Sequence, residues 1–286
     1  MNVIDISSWQ AGIDLAALFN LNSLNAVVCK ATEGTRYINP EFAPWMKWLT
    51  ENNKPFGFYH YLSGGDASAE AEYFYEATKA YTGKGIPVAD FEGYALGKGS
   101  SWLKEFLDRY EELTGVKAMI YCSLSVVQGL SGMTEHPLWI AQYADMAEVD
   151  GFLNTPWQSG SVAPWDNYVM HQYTGNGRLK GWNGSLDLDK FYGTPEDWAA
   201  LARSEKPAPA PSKYKPVDAV IIGEVLDGKH GTGVSRILSV RQSGYDPDEV
   251  QKKINQLYII GGKVRDAIGN EMEYINPIIK IARMKR

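Results

Sequence analysis

The chain has 286 residues, 44% of them hydrophobic, and a net charge of −6, so it can bury an ordinary core. It has no run near the roughly 18 apolar residues of a membrane helix, and neither membrane insertion nor a nucleic-acid partner is expected. Cys29 and Cys122 lie inside apolar runs and read as small buried core residues, and His60, His136, His171 and His230 lack zinc-ligand spacing, so no metal or cofactor is expected. The charge is uneven: residues 1–203 hold 24 acidic and 14 basic side chains, residues 204–286 hold 10 and 14, and the two parts suggest different jobs.

In chain order, Met1-Asn2-Val3-Ile4-Asp5 has neither a basic n-region nor an apolar h-region and does not read as a signal peptide. Short apolar strand-like runs follow at 3–6, 26–31, 55–61, 86–91, 118–122, 138–142, 168–173 and 185–188. Helical patterns fall between several of them, at 40–53, 67–81 and 101–114, and Asn39-Pro40 reads as an N-cap followed by a first-turn proline. Strands alternating with helices predict an irregular eight-stranded β/α barrel, TIM-like, with helices missing near the end because the late connections are short and Gly-rich. A doubly wound sheet would call for a Gly-rich nucleotide loop after an early strand, and none is visible.

Pro207-Ala208-Pro209-Ala210-Pro211 cannot continue a helix or a ladder and reads as an extended spacer. The expected domains are therefore a barrel over 1–203, a linker over 204–216 and a small helical module over 217–286. Residues 217–227 and 248–257 read as amphipathic helices, with 234–242 as a candidate third.

Reactive groups of such barrels gather at the C-terminal ends of strands. Asp5 lies near the end of the first expected strand, Asp90 and Glu92 end the fourth, and Asp187 lies in the last. Asp90 and Glu92 are two residues apart and share a strand face, roughly 6–7 Å apart, with Phe91 turned the other way. Two close carboxylates in a partly dry cleft cannot both ionise freely, which suits glycoside hydrolysis: one acid protonates the leaving oxygen while ionised neighbours stabilise positive charge. Glu92, with the longer stem, is the expected acid. Trp9, Tyr59, Tyr61, Tyr121, Trp139, Tyr143 and Tyr173 lie near strand ends, where aromatic faces can pack on sugar rings. Lys30 and Glu33 either form a structural ion pair or line the site.

The motifs Ile4-Asp5-Ile6-Ser7-Ser8-Trp9-Gln10, Lys30-Ala31-Thr32-Glu33-Gly34, Gly57-Phe58-Tyr59-His60-Tyr61, Asp90-Phe91-Glu92, Trp139-Ile140-Ala141-Gln142-Tyr143, His171-Gln172-Tyr173 and Leu186-Asp187-Leu188-Asp189 run in order along residues 1–203. In these the chain resembles the glycoside hydrolase family 25 muramidases, typical of phage endolysins. The resemblance implies cleavage of the β-1,4 bond between N-acetylmuramic acid and N-acetylglucosamine in bacterial peptidoglycan. It implies Glu92 as the acid with Asp5, Asp90 and Asp187 as its companions, and adds Gln142 to the substrate-contacting residues. The family mechanism is retaining, with either the protein or the substrate's own N-acetyl group as nucleophile.

Residues 217–257 resemble the Cpl-7-type cell-wall-binding repeat through Val217-Asp218-Ala219, the run from Glu224 to Gly233, Arg236, Gly244-Tyr245-Asp246 and the run from Val250 to Asn255. Asp227, Lys229, Gly233 and Arg236 are its candidate ligand contacts, with loop and helix capping as the alternative. The tail 258–286 departs from the pattern, so wall affinity is expected to draw on the tail or on oligomerisation through the C-terminal region. Together these features suggest a phage endolysin, made in the host cytoplasm and released to the wall with a holin. A bacterial autolysin or secreted muramidase is the alternative, and a non-catalytic wall-binding protein is a third.

Overall fold

The computed structural model describes residues 1–203 and 214–260, together with the short segments Val264–Arg265, Glu271–Glu273 and Ala282–Arg283. The chain divides into two compact units at residue 208. In chain order the first unit contains β1 (Asn2–Ile6), α1 (Leu15–Leu21), β2 (Ala26–Glu33), β3 (Tyr37–Ile38), α2 (Phe42–Glu51), β4 (Phe56–Tyr61), α3 (Ala67–Thr78) and β5 (Ile86–Asp90). It continues with α4 (Gly99–Thr114), β6 (Met119–Ser123), α5 (Leu124–Val127), β7 (Leu138–Ala141), β8 (Val149–Asp150), β9 (Met170–Arg178), β10 (Leu186–Phe191) and α6 (Pro195–Ala202).

All eight expected strands form, and they close in the order β1, β10, β9, β7, β6, β5, β4, β2, with β2 paired back to β1. The barrel is mixed. β10 runs antiparallel to both β9 and β1, because β9 turns back in a hairpin where a complete β/α barrel would cross over through a helix. β9 is longer than its sequence suggests: Gly175-Asn176-Gly177 reads as a turn by composition but continues the strand.

Period-two alternation sorts the strands into two layers. Ile4, Cys29, Phe58, Phe91, Ile120 and Cys122 face outward and pack against the helices, with Phe74 and Phe106 of α3 and α4 in the same apolar cluster. Val3, Val28, Val88, Met119, Trp139, Met170 and Phe191 fill the barrel interior. Below them α6 closes the barrel. Its N-terminus carries a capping box between Thr194 and Asp197 with Pro195 in the first turn, and this orients Trp198 onto Phe191, with ring centroids 5.1 Å apart. Trp198 Nε1 also donates to the Phe56 carbonyl, so the buried indole leaves no polar atom unpaired. The remaining end of the barrel, at the C-terminal ends of the parallel strands, is open.

One expected cap is displaced. α2 begins at Phe42, with Glu41 at its N-cap and no side-chain cap bond. Asn39 instead fixes the turn ahead of it, accepting from the Glu41 amide and donating to the Lys30 carbonyl. That long-range bond to β2 outcompetes a local cap, and Pro40 sits in the turn.

The second unit contains α7 (Ala219–Leu226), α8 (Gly233–Gln242) and α9 (Pro247–Ile260), so the candidate third helix is real. Ile221, Val225, Leu226, Val240, Val250 and Ile254 form its core. Asp218 caps α7 through the amides of Val220 and Ile221 and also accepts from the Tyr245 hydroxyl. The linker residues 204–213 and most of the tail beyond 260 lie outside the described residues. No helix among the described residues is long and apolar enough to cross a membrane.

Candidate active site

The alternation that makes the core also makes the site. Going up each strand, inward positions change from apolar to polar: Val3 then Asp5 on β1, Val28 then Lys30 on β2, Val88 then Asp90 on β5, Met119 then Tyr121 on β6, and Met170 then Gln172 on β9. Glu92 follows Asp90 on the same face. Gly93 then turns the chain with a positive φ of 57°; a Cβ there would come within 2.5 Å of Tyr61 Oη, so Glu92 and Tyr61 can be neighbours only with glycine next.

Asp5, Asp90, Glu92 and Asp187 line one cleft of about 330 Å³ with Trp9, Lys30, Tyr59, Tyr61, Tyr121, Trp139, Tyr143 and Gln172. A second cleft of about 670 Å³ shares Glu92, Tyr121 and Tyr143 and continues past Ser123, Ser125, Gln128, Gln142 and Ser161. Together they give an elongated, hydroxyl-rich groove. Apart from Glu92, its larger arm carries no charged side chain.

Each carboxyl has a distinct environment. Asp5 accepts from Gln172 Nε2 at 2.7 Å, and Gln172 Oε1 accepts from the hydroxyls of Tyr121 at 2.8 Å and Tyr143 at 2.6 Å. Burial, then the charge of Asp187, push the Asp5 carboxyl well above the ordinary range. Asp90 is buried with its Oδ1 unpartnered, and burial followed by Glu92 and Asp5 raise it strongly as well. Asp187 is pushed up to about 6 by burial and by Glu92. Burial also raises Glu92, against a partial pull from the Lys30 ammonium.

Lys30 pairs with Glu33 at 2.6 Å, and its ammonium lies 4.7 Å from the Tyr61 ring centroid. Lys30 therefore does both things expected of it, forming the ion pair and lining the site. Glu33 does not line the cleft and serves to hold Lys30. Trp9 sits in a one-turn 3-10 helix held by a capping box between Ser7 and Gln10, which presents its ring 89% exposed at the rim. Gln142 lines the larger arm with its amide bonded to the backbone of Ser159.

One expected contact fails. Tyr173 faces outward: the β9 register turns Gln172 into the barrel, so Tyr173 packs in the strand–helix layer and its hydroxyl accepts from the Leu153 amide. Tyr143, expected near a strand end, does line the cleft, whereas Gln172 and the fully buried Asp189 are the residues that strand-end positions alone do not pick out. Only the parity of β9 and β10, fixed by the hairpin, identifies them. In the second unit Asp227 and Lys229 are exposed in the turn after α7. Arg236 on α8 donates to the Gly231 carbonyl and to Gln251, and Gly233 opens that helix.

Comparison with known proteins gives the following. Residues 4–182 match the family model for glycosyl hydrolases family 25, and residues 218–258 match that for the CW_7 repeat. The autolytic lysozyme of Clostridium acetobutylicum is 28% identical over 197 residues, 67% of this chain and 56% of that protein. The lysozyme of Streptococcus phage Cp-7 is 25% identical over 265 residues, 89% of this chain and 69% of its own. The crystal structure of a bacterial lysozyme from Streptomyces coelicolor superposes with a TM-score of 0.60 at 23% identity, over 71% of this chain and 96% of that one, and shares the fold.

Proposed function

We propose, from the premise that this chain belongs to glycosyl hydrolases family 25 and carries a CW_7 cell-wall-binding repeat, that it cleaves the β-1,4 bond between N-acetylmuramic acid and N-acetylglucosamine in bacterial peptidoglycan. The observation that carries this reading is the convergence of Asp5, Asp90, Glu92 and Asp187 on one cleft walled by Trp9, Tyr59, Tyr61 and Tyr121.

Glu92 is the proton donor. Burial keeps its carboxyl protonated further toward neutrality than a free glutamate, and it is common to both arms of the groove, where a leaving-group oxygen would lie. Asp187 and Asp5, facing each other across the β1–β10 seam, balance the positive charge that develops on the sugar carbon. Asp90 lies beneath Glu92, and its burial together with the charge of Glu92 holds it toward the neutral form. Trp9 and Tyr61 offer apolar faces to pyranose rings, and the serine-rich larger arm accommodates uncharged, hydroxylated sugar.

The second unit concentrates the enzyme on the wall, with residues 204–216 as spacer and Asp227, Lys229, Gly233 and Arg236 as contacts. An endolysin role is favoured by the phage Cp-7 lysozyme, whose similarity spans both units; an autolytic role is favoured by the clostridial relative. Genome neighbours separate them, since a holin gene beside this one indicates the first.

Digestion of purified peptidoglycan tests the activity. New reducing ends on muramic acid are expected. Free amino groups or released peptides without new reducing ends would contradict it.

A further inference from the structure

Among the described residues, the interior of the barrel holds one buried carboxyl more than this chemistry uses. Asp189 is fully buried and inward-facing on β10, two residues beyond Asp187, and the register that pairs Asp5 with Asp187 places it diagonal to Asp5 across the seam. Trp139 Nε1 donates to its Oδ1 at 3.1 Å, while its Oδ2 receives no donor from any described residue. One indole N–H is poor compensation for a full charge removed from water, and a carboxylate in that position would be left largely unsatisfied.

The carboxyl that Asp189 can reach is that of Asp5, diagonal to it across the seam, where a carboxyl–carboxyl hydrogen bond would satisfy it. Such a bond needs a proton on one partner. Gln172 shows which. Its Oε1 accepts from the phenols of Tyr121 and Tyr143, which leaves its NH₂ donating to Asp5 Oδ2. Asp5 is thus fixed as an acceptor on that side. It is also the carboxyl that reaches the cleft, whereas Asp189 does not line it.

We infer that Asp189 is a neutral carboxylic acid that donates a hydrogen bond to Asp5, and that it is a positioning residue for the reaction. Trp139 orients Asp189, Asp189 holds Asp5 from below, and Gln172 holds it from the side. Asp5 therefore presents one fixed carboxylate to the substrate without having to reorganise. The environment supports the assignment: burial, followed by the charges of Asp5 and Asp187, drives Asp189 strongly toward its protonated form. The bonds from Gln172 and Asp189 work in the opposite direction on Asp5.

The kinetic arm of the test rests on the muramidase reading; the spectroscopic arm does not. In the full chain, Asp189→Asn keeps an N–H donor for Asp5 and a carbonyl for Trp139, while Asp189→Ala keeps neither. On peptidoglycan the Asn variant should stay within about threefold of wild-type kcat. The Ala variant should lose at least about tenfold in kcat with little change in KM. Equal losses in both would mean that the charge of Asp189, not its proton, is used, and would overturn the proposal. Independently, infrared spectra of protein labelled with ¹³C-carboxyl aspartate at pH 7 should contain a protonated-carboxyl band that disappears in Asp189→Asn. Should that variant not fold, Trp139→Phe should shift the band instead. Absence of any such band responding to either change would overturn the proposal, and wild-type failure on peptidoglycan would count against the muramidase reading alone.

Discussion

Asp5 and Asp187 stand directly opposite each other across the antiparallel seam between β1 and β10. A parallel last strand would not have made this facing pair. The hairpin that replaces the final crossover thus brings an acid of the first strand and one of the last onto one cleft, where the charge of Asp187 opposes the ionisation of Asp5.

Asp187 itself, raised by burial and by Glu92, carries a cost that depends on pH. The folded-state value of Asp187, about 6, exceeds its ordinary value of 3.8, so the folded protein binds this proton more tightly than the unfolded chain. The corresponding stability is fully present below about pH 4 and is lost as pH rises through about 6. Asp187→Asn should therefore be more stable than wild type at pH 7, by at most about 2–3 kcal/mol, with the difference shrinking toward pH 4. Thermal melts of both proteins across that range check it.

The same acid shapes the rate profile. Activity should rise where Asp187 ionises, at about pH 6, and fall where Glu92 loses its proton, at a pH above the ordinary glutamate range. In Asp187→Asn the acid limb should move, at much reduced rate. kcat/KM measured against pH on a soluble wall fragment reads both limbs.

Gly175 tests the packing behind the pair. A Cβ there would lie 3.1 Å from Asp187 Oδ1 and 3.3 Å from Tyr143 Oη, tighter than side chains normally tolerate. Gly175→Ala should displace Asp187 and lower kcat about 3–30-fold. Its thermal midpoint should move less than that of Trp198→Ala, which empties the base of the barrel and should cost about 3–5 kcal/mol while leaving the cleft residues in place.

A chain ending at residue 203 should hydrolyse a short soluble fragment at a rate close to that of the full chain but sediment less with intact walls, because it lacks the CW_7 repeat at 218–258. Parallel pelleting and turnover assays decide; equal loss in both would mean that the second unit supports the fold of the first.

Much of this was legible in the sequence because it obeys a short period. The eight strands announce themselves as apolar runs, and the two-residue spacing of Asp90 and Glu92 is enough to put both on one face. Phe91 then has to enter the outer layer, as it does. What was hidden depends on partners far away in the chain. Gly175-Asn176-Gly177 has turn composition, and only pairing with β10 keeps it extended. Tyr173 and Gln172 are adjacent, and nothing local says which one faces inward. Asn39 looks like a helix cap until the Lys30 carbonyl claims it. Asp189 has no local signature, since its role depends on Trp139, 50 residues earlier, and on Asp5 in the first strand.

The most direct test of the account is turnover of peptidoglycan by Glu92→Gln, a change that keeps the shape of the side chain but removes its proton. A loss of at least about a thousandfold in kcat is expected, with wall binding intact and the thermal midpoint unchanged or raised. A rate near that of the wild type would show that another group delivers the proton and would contradict the assignment.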